Sequence, residues 1–259
     1  MPAITGTGAE ARYGSVVALA ASDFTVPHGA ITALIGPNGS GKSTLLAMIA
    51  RLHELSAGHI EVHPIGGRPR RLAYVFQSTK VNEMLPVTVR EVVAMGRYPS
   101  TGPRRRFTAE DHRSVDDALA RMDIEGIAGK HLKELSGGQR QRVFVAQGLA
   151  QDHDVLLLDE PLTGLDMPSA RAIDTVIHDE HGRGCTVIIT THDLSEAQRA
   201  DHVILLAGRV VADGSPDEVL TEEHLAAAYG PGLVHGDDGA VPMIDDPAHI
   251  TQERHRHRR

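Results

Sequence analysis

The chain has no tryptophan, four tyrosines and four phenylalanines in 259 residues, and one cysteine. A single cysteine excludes an intramolecular disulfide framework and fits a reducing compartment. Cys185 lies in Cys185-Thr-Val-Ile-Ile-Thr190, so it reads as a buried strand thiol. No uninterrupted apolar run approaches the roughly 20 residues that span a bilayer. The opening Met1-Pro-Ala-Ile-Thr-Gly-Thr-Gly8 has neither the basic nor the apolar segment of a secretory signal. Any membrane role is therefore expected to go through a partner. A basic excess is missing as well: 34 acidic residues face 26 basic ones, a formal net charge of -8. That balance argues against neutralising a nucleic-acid backbone, and no nucleic-acid partner is expected.

What is present is an ordinary globular composition, 41% hydrophobic and 23% charged, in a chain long enough to bury a substantial core. Ile31-Thr-Ala-Leu-Ile35 reads as a buried strand that runs into a glycine-rich loop, after which Leu45–Ala50 is helical. Arg71–Phe76, Val155–Leu158 and Thr186–Thr190 are further short aliphatic runs of the kind covered on both faces, which points to a parallel α/β core. Between Gln77 and Leu135 the pattern changes. Val89–Met95 and Ala109–Met122 look helical, separated by a Gly-, Pro- and Arg-rich stretch from Gly96 to Arg106, and together they read as an inserted helical lobe. Ile204–Val211 reads as a hairpin and Pro216–Leu220 as a helix start, with the ordered domain closing near Tyr229. Residues 231–259 lose the apolar periodicity and end in Arg254-His-Arg-His-Arg-Arg259, which reads as a flexible His/Arg-rich tail.

Gly36-Pro-Asn-Gly-Ser-Gly-Lys-Ser43 satisfies the P-loop pattern. Its glycines let backbone N–H groups wrap phosphates, and the helix that follows presents its positive dipole end. The expected nucleotide-binding residues here are Gly36, Pro37, Asn38, Gly39, Ser40, Gly41, Lys42, Ser43 and Thr44. Lys42 is placed to reach the β- and γ-phosphates, and the Ser43 hydroxyl to ligate Mg2+. Val155–Leu158 then ends in Asp159 and Glu160. Asp159 is expected beside the P-loop as a magnesium holder, and Glu160 as the general base that activates water.

Leu135-Ser-Gly-Gly-Gln139 precedes a helical run, Arg140–Leu149, and so forms a second anion-binding helix N-terminus in one chain. One nucleotide needs only one cradle. At this pentapeptide the chain resembles the ATP-binding-cassette (ABC) ATPase family over roughly residues 10 to 230. The resemblance implies an α/β fold: a P-loop NTPase core with a mainly parallel sheet, an N-terminal antiparallel β subdomain, and a helical lobe inserted at about 78–150. It implies ATP and Mg2+ as ligands and a head-to-tail dimer, in which Ser136, Gly137, Gly138 and Gln139 of one copy close over ATP held by the P-loop of the other. Tyr13 resembles the aromatic that stacks on adenine. Gln77 resembles the glutamine that contacts magnesium and water, Asp166 the aspartate that crosses the dimer interface, and His192 the switch histidine that contacts the γ-phosphate and orients Glu160.

Further resemblance concerns the cargo. Leu85–Pro99, Leu162–Asp166 and Leu220–Tyr229 look closest to the ATPases of zinc and manganese importers. The siderophore, haem and vitamin class of iron-chelate importers is the alternative, and a non-transport ABC ATPase acting on nucleic acid or ribosomes a more remote one. The implied partners are transmembrane permease subunits and, indirectly, an extracytoplasmic metal-binding receptor. The implied location is the cytoplasmic face of the membrane. The segment Gln77–Val89 is where the lobe would meet the permease. His255 and His257 could join Asp245, Asp246 or His249 in a weak tail metal site, against the plainer reading of a solvated end. His53, His59 and His63 read as surface residues.

Overall fold

The computed structural model describes residues 1–76, 86–101 and 106–230, with the backbone of 234–235 and 243–244. It opens with β1 (Pro2–Tyr13) and β2 (Val16–Pro27), an antiparallel pair in which Tyr13 faces Val16 across a turn at Gly14. Burial alternates residue by residue from Ser22 to Val26, the period of a half-covered strand. β3 (Ile31–Ile35) follows, then α1 (Lys42–Ile49) and β4 (Ala57–Val62), which pairs with the other side of β1. The first sheet therefore has the order β2-β1-β4 and is antiparallel throughout.

The second sheet contains β3 with β5 (Leu72–Val75), β6 (Val155–Leu158), β7 (Thr186–Thr191), β8 (His202–Leu206) and β9 (Val210–Gly214). Its order is β5-β6-β7-β3-β8-β9, and every pairing is parallel except β8 with β9. β3, β6 and β7 are buried at every position. Alternate side chains serve two cores. Ala33, Ile35, Leu156, Leu158, Val187 and Ile189 face one, and Leu34, Val155, Leu157, Ile188, Ile204 and Leu206 face the other. The sheet is thus the middle layer, with α1 and the antiparallel sheet on one side and helices on the other.

Those helices include the lobe: α2 (Val89–Met95), α3 (Tyr98–Thr101), α4 (Ala109–Arg121) and α5 (Gly137–Leu149). Thr88 and Thr108 open α2 and α4 with capping boxes closed by Glu91 and Asp111. Arg97, 5% exposed, holds the lobe together: its Nε donates to Asp111 at 3.0 Å and its Nη1 to the Ala150 carbonyl at 2.8 Å. Beyond the lobe come α6 (Met167–Gly182), α7 (Leu194–Gln198), α8 (Pro216–Val219) and α9 (Glu222–Tyr229). Val234–His235 pairs antiparallel with Met243–Ile244, and the rest of the expected tail lies outside the described residues.

Two expectations change. His53 and His63 are half-buried rather than surface residues: His53 packs on Tyr13, and His63 Nε2 lies 3.0 Å from Thr5 Oγ1. α5 begins three residues before Arg140, because the Ser136 side chain accepts the Gln139 N–H and makes Gly137 the first helical residue.

Candidate active site

The P-loop leaves the C-terminal end of β3 at the centre of the parallel sheet and feeds α1. Gly36 admits no side chain, since a Cβ there would lie 2.1 Å from the Leu206 carbonyl oxygen of β8. Gly41 sits at φ 101° as the N-cap of α1 and offers no side-chain cap. The first N–H groups of α1 are therefore left for a ligand. Lys42, 6% exposed, donates to the carbonyls of Gly36 at 2.6 Å and Pro37 at 3.0 Å. Burial lowers its pKa from lysine's ordinary value, opposed by the charges of Glu160 and Asp159. The Ser40 hydroxyl is buried in the loop without a hydrogen-bond partner among the described residues. An uncapped helix N-terminus, a buried ammonium and an orphaned hydroxyl together fit a polyphosphate. Asn38 and Gly39 are exposed, whereas Ser43 and Thr44 are half-buried.

Asp159 and Glu160 follow β6, two strands from β3. Asp159, 1% exposed, accepts a hydrogen bond from Ser43 Oγ at 2.9 Å, so the two oxygens expected to serve magnesium meet across 116 residues of sequence. They are hard donors of the type magnesium takes. The same Asp159 oxygen accepts from Thr190 Oγ1 at 2.8 Å, and Thr190 Oγ1 in turn accepts from the Glu160 backbone N–H at 2.7 Å. Glu160 holds φ at 48°, a conformation uncommon for a non-glycine residue, and the Thr190 bond fixes it. The Tyr74 hydroxyl lies 3.4 Å from the other Asp159 oxygen, and burial raises its pKa.

Thr190 and Tyr74 are contacts that motif reading misses. Their signals in the sequence are slight: a hydroxyl closing the aliphatic run Val187-Ile188-Ile189, and a phenol inside the β5 run.

His192 stands exposed just past β7, at the same edge of the sheet as the P-loop and Glu160. Tyr13 ends β1, 55% exposed, its ring 4.4 Å from that of His53. Asp166 caps α6 by accepting the Ser169 N–H at 3.1 Å, and Ser169 holds its carboxyl below the usual pKa. Ser136, Gly137, Gly138 and Gln139 open α5, which packs against β5. β5 is an edge strand three spacings, about 14 Å, from β3. The sheet thus brings Lys42, Ser43, Asp159 and Glu160 together and leaves the signature at its margin. Gln77 lies outside the described residues.

A family model described as ABC transporter matches residues 19–163. The chain belongs to that family. As an ABC ATPase it carries the nucleotide-hydrolysing cassette of a transporter. It is 41% identical over 211 residues to the zinc transport system ATP-binding protein TroB of Treponema pallidum, covering 80% of this chain and 79% of that one. It is 38% identical to the manganese transport system ATP-binding protein MntA of Synechocystis, covering 88% and 90%. The chelated iron transport system protein YfeB of Yersinia pestis is 36% identical, covering 87% and 78%. Among solved structures, an inward-facing ABC transporter of the metal-chelate type superposes with a TM-score of 0.78 at 26% identity, covering 88% of this chain and 89% of that one. The dimeric bacterial ABC cassette MJ0796 superposes at 0.72 and 25% identity, covering 82% and 98%. No helix among the described residues is long and apolar enough to cross a membrane.

Proposed function

We propose that this ABC ATPase powers import of a metal ion, zinc or manganese, by hydrolysing MgATP at the cytoplasmic face of the membrane. The observation that carries the hydrolytic reading is the hydrogen bond from Ser43 to Asp159 at 2.9 Å, which joins the P-loop to the acidic end of β6. Gly36 to Thr44 wrap the triphosphate, and Lys42 turns its ammonium from the loop carbonyls to the β- and γ-phosphates. Ser43 and Asp159 would hold magnesium, with Gln77 expected as a further contact, and the ion would supply charge neutralisation to the triphosphate. Glu160 takes a proton from the attacking water as the γ-phosphoryl group leaves ADP, and His192 contacts that phosphoryl group and orients the water. Tyr13 stacks on the adenine.

A second copy completes the site. Ser136, Gly137, Gly138 and Gln139, exposed or half-buried at the start of α5, close over the partner's nucleotide, and Asp166 lies along the interface. The dimeric MJ0796 cassette supports that arrangement. ATP binding closes the dimer and hydrolysis reopens it, which biases the permease between two facings. The permease docks along Gln77–Val89, of which residues 77–85 lie outside the described residues, beside the place where the lobe meets β5. An apolar cleft of about 230 Å³ lies there, lined by Val87, Val92, Leu132 and Phe144, with Phe76 and Met95 exposed at its rim. An extracytoplasmic receptor delivers the metal to the permease.

The likeness to TroB and MntA supports zinc or manganese as cargo, and the likeness to YfeB keeps chelated iron as the second reading. The test is the total zinc, manganese and iron of metal-limited cells lacking this chain, complemented with wild type or Glu160→Gln. One metal should fall and only the wild type should restore it. An unchanged zinc and manganese content with a fall in iron would select the chelate reading. Equal restoration by Glu160→Gln would remove Glu160 as the base; a catalytic base is worth roughly 100- to 10,000-fold in rate.

A further inference from the structure

At the opposite end of the sheet from the phosphate loop, three side chains of different chemistry converge. His153 lies in the turn leading into β6, Glu180 near the C-terminal end of α6, and Cys185 one residue before β7. One nitrogen, one oxygen and one sulfur from them lie within 4.8 Å of one another. The His153 and Glu180 side chains are each 6% exposed, and Cys185 is buried. We infer that His153, Glu180 and Cys185 form a binding site for a thiophilic divalent metal ion, zinc in the first place.

The ligand set is that of zinc, which takes thiolate, imidazole and carboxylate at about 2.0–2.3 Å. Tetrahedral bonds of that length put ligand atoms roughly 3.3–3.8 Å apart, so the trio needs only small side-chain adjustment. His153 Nε2 and Glu180 Oε2 already lie 3.0 Å apart.

The surrounding bonds orient the ligands. His153 Nδ1 lies 2.8 Å from the Gln151 carbonyl and donates there. Against the desolvation of burial, hydrogen bonds to Cys185 and Glu180 raise the imidazole pKa, so a metal would have to displace the proton from Nε2, the nitrogen that faces the cluster. Arg121 Nη2 at 2.7 Å and Arg183 Nη1 at 3.3 Å both engage Glu180 Oε1, which leaves Oε2 to the cluster. A structural ion pair alone would not require a thiol beside it. The sulfur selects against magnesium, calcium and manganese, and the two anionic ligands offset the charge of the ion. Three protein ligands would leave a fourth position for water. Bound metal would clamp the end of α6 to the starts of β6 and β7, about as far from Asp159 as β6 is long. The ion is therefore distinct from the magnesium of the nucleotide site, and the inference does not depend on which metal is transported.

Cobalt(II) tests the site because this chain has one cysteine. A thiolate-to-cobalt charge-transfer band can arise only at Cys185, whereas the histidines of the tail give none. The full-length chain, stripped with chelator, should develop the band to one equivalent; zinc should bleach it and excess magnesium should not. His153→Gln and Glu180→Gln should each weaken cobalt binding at least about tenfold, and Cys185→Ser should abolish the band. X-ray absorption on zinc-loaded wild type, which needs no variant to fold, should show one sulfur among nitrogen and oxygen neighbours. Absence of the band and of a sulfur neighbour in folded wild type overturns the inference, as does unchanged affinity in both folded His153 and Glu180 variants.

Discussion

The Thr190 hydroxyl, fully buried at the end of β7, donates to Asp159 at 2.8 Å while accepting the backbone N–H of Glu160 at 2.7 Å. One side chain thus aligns both acids that follow β6. Thr190→Val keeps the shape of the side chain but removes the acceptor of the Glu160 N–H and one of the donors to Asp159 Oδ1, which retains Ser43, so the two acids lose their shared tether. Its expected effect is a fall of about tenfold or more in the ATPase kcat with little change in KM for ATP. Thr190→Ser should recover most of the rate. Steady-state kinetics of the permease complex would check this, and a Thr190→Val enzyme of wild-type kcat would remove Thr190 from the site.

How far the site can be read before the chain is folded follows from the range of each interaction. The P-loop and the strands at β3, β6 and β7 are visible because they are contiguous: a glycine run and aliphatic runs that a two-faced parallel sheet demands. Thr190 is not visible, because its bond to Asp159 spans 31 residues and exists only through the pairing of β6 with β7. β1 and β2 are harder for another reason. Small residues such as Ala3, Ala9 and Ala11 fill the buried positions of β1, and alanine and glycine carry little strand signal. The early start of α5 was within reach, since Ser136 and Gln139 have the spacing of a capping box.

Gly138 is packed against the start of α6. A Cβ at this position would lie 2.5 Å from Ser169 Oγ and 2.9 Å from Asp166 Oδ1, both in the same chain. Even Gly138→Ala must push the signature away from the Asp166 cap, and Gly138→Asp adds a second negative charge beside that carboxylate. ATP-driven dimerisation and ATPase activity should fall for Ala and fall further for Asp. Nucleotide binding to the single chain should hold, because the P-loop is on other elements. Light scattering with and without ATP, paired with a nucleotide-binding titration, separates the two effects.

Tyr13 offers an exposed ring whose packing on the His53 ring, tilted by 36°, restricts how it can turn. Base stacking on an aromatic is worth about 1–3 kcal/mol, so Tyr13→Ala should weaken ATP binding by roughly 5- to 150-fold. Tyr13→Phe should bind nearly as wild type. Inorganic triphosphate, which has no base, should bind wild type and Tyr13→Ala alike, and a parallel loss for both ligands would assign Tyr13 a folding role instead.

Asp111 links the helical lobe to acid sensitivity. The Thr108 N–H at 2.8 Å and hydroxyl at 2.7 Å, with Arg97 Nε at 3.0 Å, hold its carboxyl down to about 2. An unfolded aspartate titrates near 3.9, roughly. The folded group has the lower pKa, so its contribution is complete above the unfolded value and is lost as pH falls from there toward about 2. Asp111→Ala should therefore melt below wild type at neutral pH, and the gap between their thermal midpoints should narrow as the pH drops below about 4. A gap that stayed constant over that range would mean the capping box and the Arg97 pair contribute nothing through the charge of Asp111.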